Sequence, residues 1–171
     1  MKGYVQVYTG DGKGKTTAAI GLALRACGAG LHIFIGQFVK GQICSEIKAI
    51  NENLDKITIK QYGRKGFIKS KPEKEDIEMA KKGLLEVSNA LKSGKYDVVI
   101  LDEANIAIYF KLFNVEELLK VIKEKPDDVE LVITGRKADP KIIEAADLVT
   151  EMKEIKHYYK KGVRARPGIE N

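Results

Sequence analysis

A run of alternating glycine and lysine stands near the N-terminus: Thr9-Gly10-Asp11-Gly12-Lys13-Gly14-Lys15-Thr16-Thr17. It follows a short β-branched and aromatic stretch and precedes an alanine-rich one, which places it between a predicted strand and a predicted helix. The glycines let the backbone fold into a cup of N–H donors, and the helix start adds the positive end of its dipole. Since this chemistry suits a polyphosphate, the run predicts a phosphate-binding P-loop.

Two side chains of this P-loop have separate predicted tasks. Lys15 would reach phosphate oxygens as a point charge, and the Thr16 hydroxyl stands where such loops hold Mg²⁺. The usual pattern G-x-x-x-x-G-K-[ST] has glycine at the position of Thr9, so the motif departs from it there. The three remaining glycines still supply the backbone freedom. A glycine-rich turn without a ligand is the alternative interpretation.

Two carboxylates close a fully apolar stretch, Val98-Val99-Ile100-Leu101, as Asp102 and Glu103. Such a strand brings both carboxylates to the carboxyl edge of a sheet, where doubly wound folds bind ligands. Beside a P-loop either could hold Mg²⁺, directly or through water, and Glu103 could otherwise act as a general base on a water. The metal candidates are therefore Thr16, Asp102 and Glu103. A helix-capping Asp and a surface Glu are the alternative.

Strand and helix patterns alternate along the chain. The expected strands are 3–8, 31–38, 57–61, 96–101, 130–134 and 148–151. The expected helices are 16–27, 72–92, 114–124 and a short one that Pro140 begins. This alternation predicts an α/β fold, a doubly wound, mainly parallel sheet of the P-loop nucleotide-binding type. With 171 residues, no repeat and no linker, a single domain over 1–171 is expected.

The distribution of apolar residues indicates where in the cell the protein is expected. No run approaches the ~20 apolar residues of a membrane span, and the N-terminus lacks a signal-peptide layout. We therefore expect a cytoplasmic protein without a membrane partner. Cys27, in the first predicted helix, and Cys44, in a predicted loop, lack metal-ligand spacing and are expected to be free thiols.

Basic residues cluster in 60–74 and in 153–166, each with six Lys or Arg against one Glu, in a chain of net charge +6. Such clusters can bind nucleic acid, frame an anionic ligand or form plain solvated surface. We expect no nucleic-acid partner. A steep loss of nucleic-acid affinity with salt would contradict this expectation.

Several stretches together carry a specific resemblance. The chain resembles the P-loop type ATP:corrinoid adenosyltransferase family of cobalamin biosynthesis over nearly its whole length. In that family Thr and Gly stand where this P-loop departs from the usual pattern, so the departure becomes an identifying mark. The matching stretches are 9–30, IGQFVKG (35–41), VVILDEANIA (98–107), 131–152 and IKHYYKKGVRARPGIE (155–170).

The resemblance implies transfer of the 5′-deoxyadenosyl group of ATP to the cobalt(I) of a corrinoid, with release of triphosphate, in adenosylcobalamin biosynthesis or salvage. Cobalt(I) is itself a strong nucleophile, so no activated Ser, Cys or His is required. In the family ATP lies reversed in the loop, with its 5′-carbon toward the acceptor. The resemblance further implies Mg²⁺ or Mn²⁺, a homodimer, and a reductase or flavoprotein as electron donor.

The resemblance also assigns site residues. Lys15, Glu103 and Phe67 are the implied catalytic residues, and Arg25 joins the P-loop residues as a nucleotide contact. Thr16 and Glu103 match metal-holding positions, with Asp102 in support.

One family feature differs here. Relatives carry an aromatic pair in a Gly-Phe-Thr-Trp stretch near the corrinoid, whereas this chain has Gly66-Phe67-Ile68-Lys69 and no tryptophan. Lys69 in place of Trp is expected to loosen corrinoid binding or to slow the reduction of cobalt. The chain also starts almost at its first strand, so we expect it to lack the longer N-terminal arm that covers the corrinoid in relatives.

Two rival functions fit the same residues. A P-loop phosphotransferase or ATPase would use Glu103 to activate a hydroxyl or water, and would yield ADP. A noncatalytic nucleotide- or corrinoid-binding module is favoured by the missing Trp. Product analysis separates these, because the adenosyltransferase alone yields triphosphate.

Overall fold

The computed structural model describes residues 2–42, 44–64, 66, 68 and 71–170. Within these ranges the strands are β1 (Val5–Thr9), β2 (Ile33–Phe38), β3 (Ile57–Tyr62), β4 (Val98–Asp102), β5 (Glu130–Thr134) and β6 (Leu148–Glu151). The α-helices are α1 (Lys15–Gly28), α2 (Ser45–Asn53), α3 (Lys74–Lys92), α4 (Ala104–Tyr109), α5 (Val115–Lys123) and α6 (Pro140–Ala145). A single 3₁₀ turn covers Tyr158–Lys161 in the described part of the C-terminal segment.

The described strands form one sheet of six in the order β3-β2-β4-β5-β1-β6. Every neighbouring pair in this sheet is parallel. The prediction of a doubly wound α/β fold with a parallel sheet is confirmed. The P-loop follows β1, and the two carboxylates stand at the end of β4. Because only β5 lies between these two parallel strands, the loop and the carboxylates are close together at the carboxyl edge of the sheet.

Helices cover both faces of the sheet. On one face, alanines of α1 (Ala19, Ala23) pack against Ile35, Ile100 and Val132. Their small side chains let α1 lie close to the strands, which fixes the height of the P-loop above the sheet edge. On the other face α3, α5 and α6 enclose a larger apolar cluster. β2 and β4 are buried at every position, as their near-continuous apolar runs predict.

Several helix starts follow their predicted chemistry. Asn114 caps α5 by accepting a hydrogen bond from the backbone N–H of Glu117 at 2.9 Å, and the Glu117 carboxylate accepts one from the backbone N–H of Asn114 at 2.7 Å. α6 begins with Pro140 in its first turn, after the cap Asp139. Both predicted helix starts are confirmed, so the capping residues and Pro140 in the sequence were enough to predict where these helices begin.

Two short helices were not predicted. Cys44 lies outside the helices and strands, as predicted, but it is the N-cap of α2, a helix that the sequence did not predict. α2 buries Ile47 and Ile50, but β-branched residues and asparagines give it a weak helical pattern. α4 begins one residue after β4 and has only six residues, which are too few to show a helical period in the sequence.

Candidate active site

The P-loop is fixed against the segment that follows β6. The backbone N–H of Gly12 donates to the carbonyl of Met152 at 2.7 Å, and the N–H of Met152 donates to Thr9 at 2.8 Å. A Cβ at Gly10 or Gly12 would lie 2.4 or 2.6 Å from the Met152 carbonyl oxygen, so neither position accepts a side chain. Gly14 has φ +117°, a conformation that glycine adopts without strain.

Lys15 lies beneath the loop at the first residue of α1, where it is buried. Its Nζ donates to the carbonyls of Gly10 at 2.7 Å and Gly12 at 2.6 Å. Burial lowers the pKa of this ammonium, and the charge of Arg136 lowers it further, while the charge of Glu103 opposes them. The loop therefore holds a desolvated, oriented positive charge of the kind that binds phosphate strongly.

Asp102 is the centre of a buried hydrogen-bond network. Its Oδ1 accepts from Thr16 Oγ1 at 2.8 Å and from Thr134 Oγ1 at 2.7 Å. Its Oδ2 accepts from Gln37 Nε2 at 2.9 Å and from Lys40 Nζ at 3.3 Å. Burial by itself would raise the pKa of Asp102, but the charge of Lys40 and these hydrogen bonds hold it below its ordinary value. The carboxylate is therefore ionised and firmly oriented.

Lys40 follows β2 and contacts the same group of oxygens. Its Nζ donates to Thr16 Oγ1 at 3.3 Å and lies 3.8 Å from Glu103 Oε1. Burial opposes its charge, yet the charges of Asp102 and Glu103 outweigh burial and raise the pKa of Lys40. The sequence reasoning did not single out Lys40. The signal was available, because a lysine just past a buried parallel strand must lie at the ligand-binding edge.

Glu103 reaches the site from a left-handed backbone conformation with φ 61°. Its backbone N–H donates to Thr134 Oγ1 at 3.0 Å, which holds this turn between β4 and α4. Burial and the neighbouring charge of Asp102 raise the pKa of Glu103. Such strained positions persist where the surrounding structure fixes them, and they concentrate at functional sites.

A cavity of about 420 Å³ lies over the P-loop. Its volume is typical of small-ligand sites, and charged groups of both signs line it. The lining residues are Gly12, Lys13, Gly14, Lys15, Thr16, Thr17, Ile20, Lys40, Ser45, Glu46, Glu103, Arg136, His157, Gly168, Ile169 and Glu170.

The C-terminal segment supplies one wall of this cavity. Lys13 Nζ donates to the carbonyl of Ile169 at 2.9 Å and lies 3.5 Å from Glu170 Oε1. Glu170 also accepts hydrogen bonds from Arg166, at 3.1 Å, and from the Tyr158 hydroxyl. The hydrogen bonds from Arg166 and Tyr158 lower the pKa of Glu170 to about 2. Sequence reasoning missed this wall, since nothing local relates residue 170 to residue 13.

The structure brings most predicted site residues together. Asp102 lies behind Thr16, and Thr9, Gly10 and Asp11 form the part of the loop away from the cavity lining. The predicted residues that line the cavity are Gly12, Lys13, Gly14, Lys15, Thr16, Thr17 and Glu103.

Arg25 and Phe67 are two further predicted site residues, and neither is among the described residues that line the cavity. Arg25 is exposed in the last turn of α1, and a helix rise of about 1.5 Å per residue puts it roughly 15 Å from Lys15 along the axis. Its nucleotide contact stays a prediction. Phe67 and Lys69 lie outside the described residues, and so does the predicted corrinoid contact that depends on them.

The donor set at the carboxylates suits a hard divalent cation. Among the described residues, no three His, Cys, Asp or Glu side chains gather into a protein-only metal cage. Mg²⁺, however, is usually held by one or two carboxylates together with substrate phosphates and waters. The Thr16 hydroxyl and the carboxylates of Asp102 and Glu103 provide such a partial set of oxygens beside the P-loop. These residues fit Mg²⁺ that binds together with a nucleotide.

The fold and this site define a P-loop nucleotide-binding protein with its acidic pair one strand away from the loop. The family model "ATP:corrinoid adenosyltransferase BtuR/CobO/CobP" matches residues 1–171. The chain therefore belongs to the ATP:corrinoid adenosyltransferase family, which is a family of transferases.

Curated relatives agree with this family. A corrinoid adenosyltransferase of Sinorhizobium sp is 35% identical over 99% of this chain and 80% of its own length. A corrinoid adenosyltransferase of Pseudomonas aeruginosa is 33% identical over 99% of this chain and 84% of its own length. A corrinoid adenosyltransferase of Escherichia coli K12 is 31% identical over 99% of this chain and 86% of its own length. Across the described ranges, none of the helices has the length and apolar character needed to cross a bilayer.

Proposed function

We propose that this protein transfers the 5′-deoxyadenosyl group of ATP to the cobalt(I) of a corrinoid and releases triphosphate, in adenosylcobalamin biosynthesis or salvage. The observation that carries the proposal is a P-loop cavity beside the buried Asp102 and the half-buried Glu103, in a chain that matches the family over residues 1–171. The proposed assignment extends to a single domain over 1–171, a homodimer, a cytoplasmic location, and a reductase or flavoprotein that delivers electrons.

The P-loop would bind the leaving group in this reaction. An electron pair on cobalt(I) attacks the 5′-carbon, the cobalt–carbon bond forms, and the C5′–O bond breaks with its electrons going to triphosphate. Negative charge therefore grows on the triphosphate. The loop N–H groups, Lys13 and the desolvated Lys15 lie where they can offset that charge. The protein's other task is alignment of the two substrates.

The three oxygen-bearing residues would hold Mg²⁺, or Mn²⁺ in its place. Thr16 and Glu103 face the cavity, and Asp102 orients the Thr16 hydroxyl from behind. When bound, the divalent ion would neutralise part of the triphosphate charge. Phe67 is proposed to contact the corrinoid, as the family resemblance implies, and Lys69 in place of Trp is proposed to loosen corrinoid binding or to slow the reduction of cobalt.

Anaerobic turnover with ATP and chemically reduced corrinoids tests this function. Both an incomplete corrinoid precursor and finished cobalamin are supplied, and two products are followed: the light-sensitive cobalt–carbon absorption band and inorganic triphosphate. We expect both products in equal amounts. ADP and phosphate in their place would indicate a phosphotransferase or ATPase, and binding without any product would indicate a noncatalytic module.

A pair of lysine variants ties the activity to the P-loop. Lys15→Met removes the buried loop ammonium and is expected to lower kcat/KM by about 100-fold or more, because leaving-group stabilisation is lost. Lys82→Met removes a lysine of equal charge on the exposed face of α3, 4.0 Å from Glu86, and should leave turnover unchanged. Equal activity of the two variants would contradict the role of Lys15.

A further inference from the structure

The ammonium of Lys40 occupies the point where the proposed metal ligands converge. Its Nζ lies 3.3 Å from Thr16 Oγ1 and 3.3 Å from Asp102 Oδ2. It lies 3.8 Å from Glu103 Oε1 as well. All three residues that could hold a divalent cation thus already share one positive charge from the chain itself.

The turn after β2 is built so that Lys40 points there. Val39 has φ 65°, a left-handed conformation that is strained for a β-branched residue. The next residue, Gly41, is packed so closely that a Cβ there would lie 2.1 Å from the carbonyl oxygen of Gly63. Strain before Lys40 and close packing after it together fix the backbone from which its side chain reaches the site.

The other partners of Asp102 are not exchangeable in the same way. Gln37 and Thr134 are buried at 1% and 0% exposure, and they donate from neutral groups. The Lys40 side chain is 28% exposed and lines the cavity, so its flexible stem can swing toward a bound polyphosphate. Lys40 is therefore the charged partner of Asp102 that faces the cavity.

An ammonium and a divalent cation cannot share these oxygens. Mg²⁺ binds oxygen at about 2.0–2.1 Å, which would place it within repulsive contact of an ammonium at the Lys40 position. Like charges a few ångströms apart repel each other more strongly at a partly buried site than in bulk water. One of the two must leave when the other binds.

We propose that Lys40 is a tethered counter-ion that competes with the divalent cation for Thr16, Asp102 and Glu103. The metal enters when the ammonium moves onto the phosphate chain, so metal and nucleotide bind together and not separately. This inference rests on the proposed function for its metal and its nucleotide. It assigns Lys40 a positioning role in addition to that function.

Mn²⁺ binding without nucleotide tests the competition directly. The free Mn²⁺ signal in electron paramagnetic resonance is titrated with wild-type protein and with Lys40→Met. We expect the variant to bind Mn²⁺ at least about tenfold more tightly, since repulsion from the ammonium is removed. Inorganic triphosphate should show the opposite change and bind more weakly to the variant.

Two controls separate competition from simpler effects. Lys48→Met removes a lysine of equal charge from the exposed side of α2, where its side chain is 70% exposed, and should leave Mn²⁺ affinity unchanged. Lys40→Arg keeps the charge and should show no gain in Mn²⁺ affinity. If Lys40→Met fails to fold by circular dichroism, Lys40→Gln replaces it, because the amide is neutral but still donates to Asp102.

The inference is overturned if the neutral Lys40 variant binds Mn²⁺ no more tightly than wild type, including the case in which neither binds. A comparable gain in Lys48→Met also overturns it. Failure of the proposed function is seen separately, as ADP or as an absent cobalt–carbon band in wild-type turnover. The Mn²⁺ titration contains no corrinoid, so it decides the role of Lys40 in either case.

Discussion

Thr134 joins the side chain of Asp102 to the backbone of Glu103 through a single hydroxyl. Its Oγ1 donates to Asp102 Oδ1 at 2.7 Å and accepts from the backbone N–H of Glu103 at 3.0 Å. Because Thr134 is fully buried, water cannot replace either bond. The hydroxyl therefore fixes both the direction of the Asp102 carboxylate and the turn that presents Glu103.

Thr134→Val is expected to destabilise the fold by about 1–3 kcal/mol, because it leaves a buried N–H unpaired and removes one hydrogen bond to a buried carboxylate. Urea unfolding measures the loss. Thr134→Ser is the matched control: it keeps the hydroxyl and removes one methyl group, at a cost of about 1 kcal/mol. A smaller loss for Val than for Ser would show that the hydroxyl contributes little.

The sequence predicted the residues of this site better than their partners. Asp102 and Glu103 follow an apolar strand, which is a local pattern. Thr134 and Glu170 reach the site from separate parts of the chain, and no local pattern relates them to it. Their place depends on strand order and on the path of the C-terminal segment, which are properties of tertiary structure.

Among the elements, an ion pair joins the start of α3 to the segment that follows β3. Arg64 donates to both oxygens of Asp76 at 2.7 Å. Asp76 also accepts from the backbone N–H of Glu73 at 2.8 Å, which completes a capping box at this helix start. The hydrogen bonds from Arg64 hold the pKa of Asp76 below its ordinary 3.8.

The effect of Asp76→Asn is expected to depend on pH in a defined direction. A carboxylate with a lowered folded pKa stabilises the fold above its unfolded pKa, and this contribution is lost as the pH falls through the folded value. At pH 7 the variant should be less stable by about 2 kcal/mol, from the hydrogen bonds lost. The difference should shrink below pH 3.8.

Urea unfolding of wild type and variant between pH 7 and pH 2.5 measures this difference. Glu75→Gln serves as the control, because it removes the same charge from the same helical turn at an exposed carboxylate 3.8 Å from Arg64. It should change stability by less than about 0.5 kcal/mol. A difference for Asp76→Asn that stays constant down to the lowest pH would contradict the argument.

Element boundaries followed from the sequence where a chemical signal marked them. Strand β5 and helix α6 begin at the residues predicted, and the predicted β6 has its observed bounds. Helices α2 and α4 lacked such signals. Each is nine residues or fewer, and each depends on packing against the sheet for its stability.

At the scale of the whole molecule, the strands of the sheet differ in how far they are shielded from solvent. β4 is buried at all five positions, whereas β6 is exposed at all four and pairs with β1 alone within the described chain. Alternation in the sequence predicted parallel strands but not their order, since a local pattern does not say which strands become neighbours. The order decides which strands are protected.

Hydrogen exchange should therefore proceed in stages. Amides of 148–151 are expected to exchange by local opening, with a much smaller opening free energy than those of 98–102, which exchange only on global unfolding. Mass spectrometry of peptides that cover the two strands measures this. β3, the other edge strand, is partly buried and should fall between them. Equal protection of β6 and β4 would contradict this ordering.

The contact between the P-loop and residue 152 carries an evolutionary consequence. The glycines at positions 10 and 12 rest on a main-chain carbonyl, and every amino acid has one. Residue 152 can therefore be substituted during evolution, while both glycines are kept by selection. A comparison of homologous sequences would identify the two glycines as conserved, but it would not identify residue 152 as their partner.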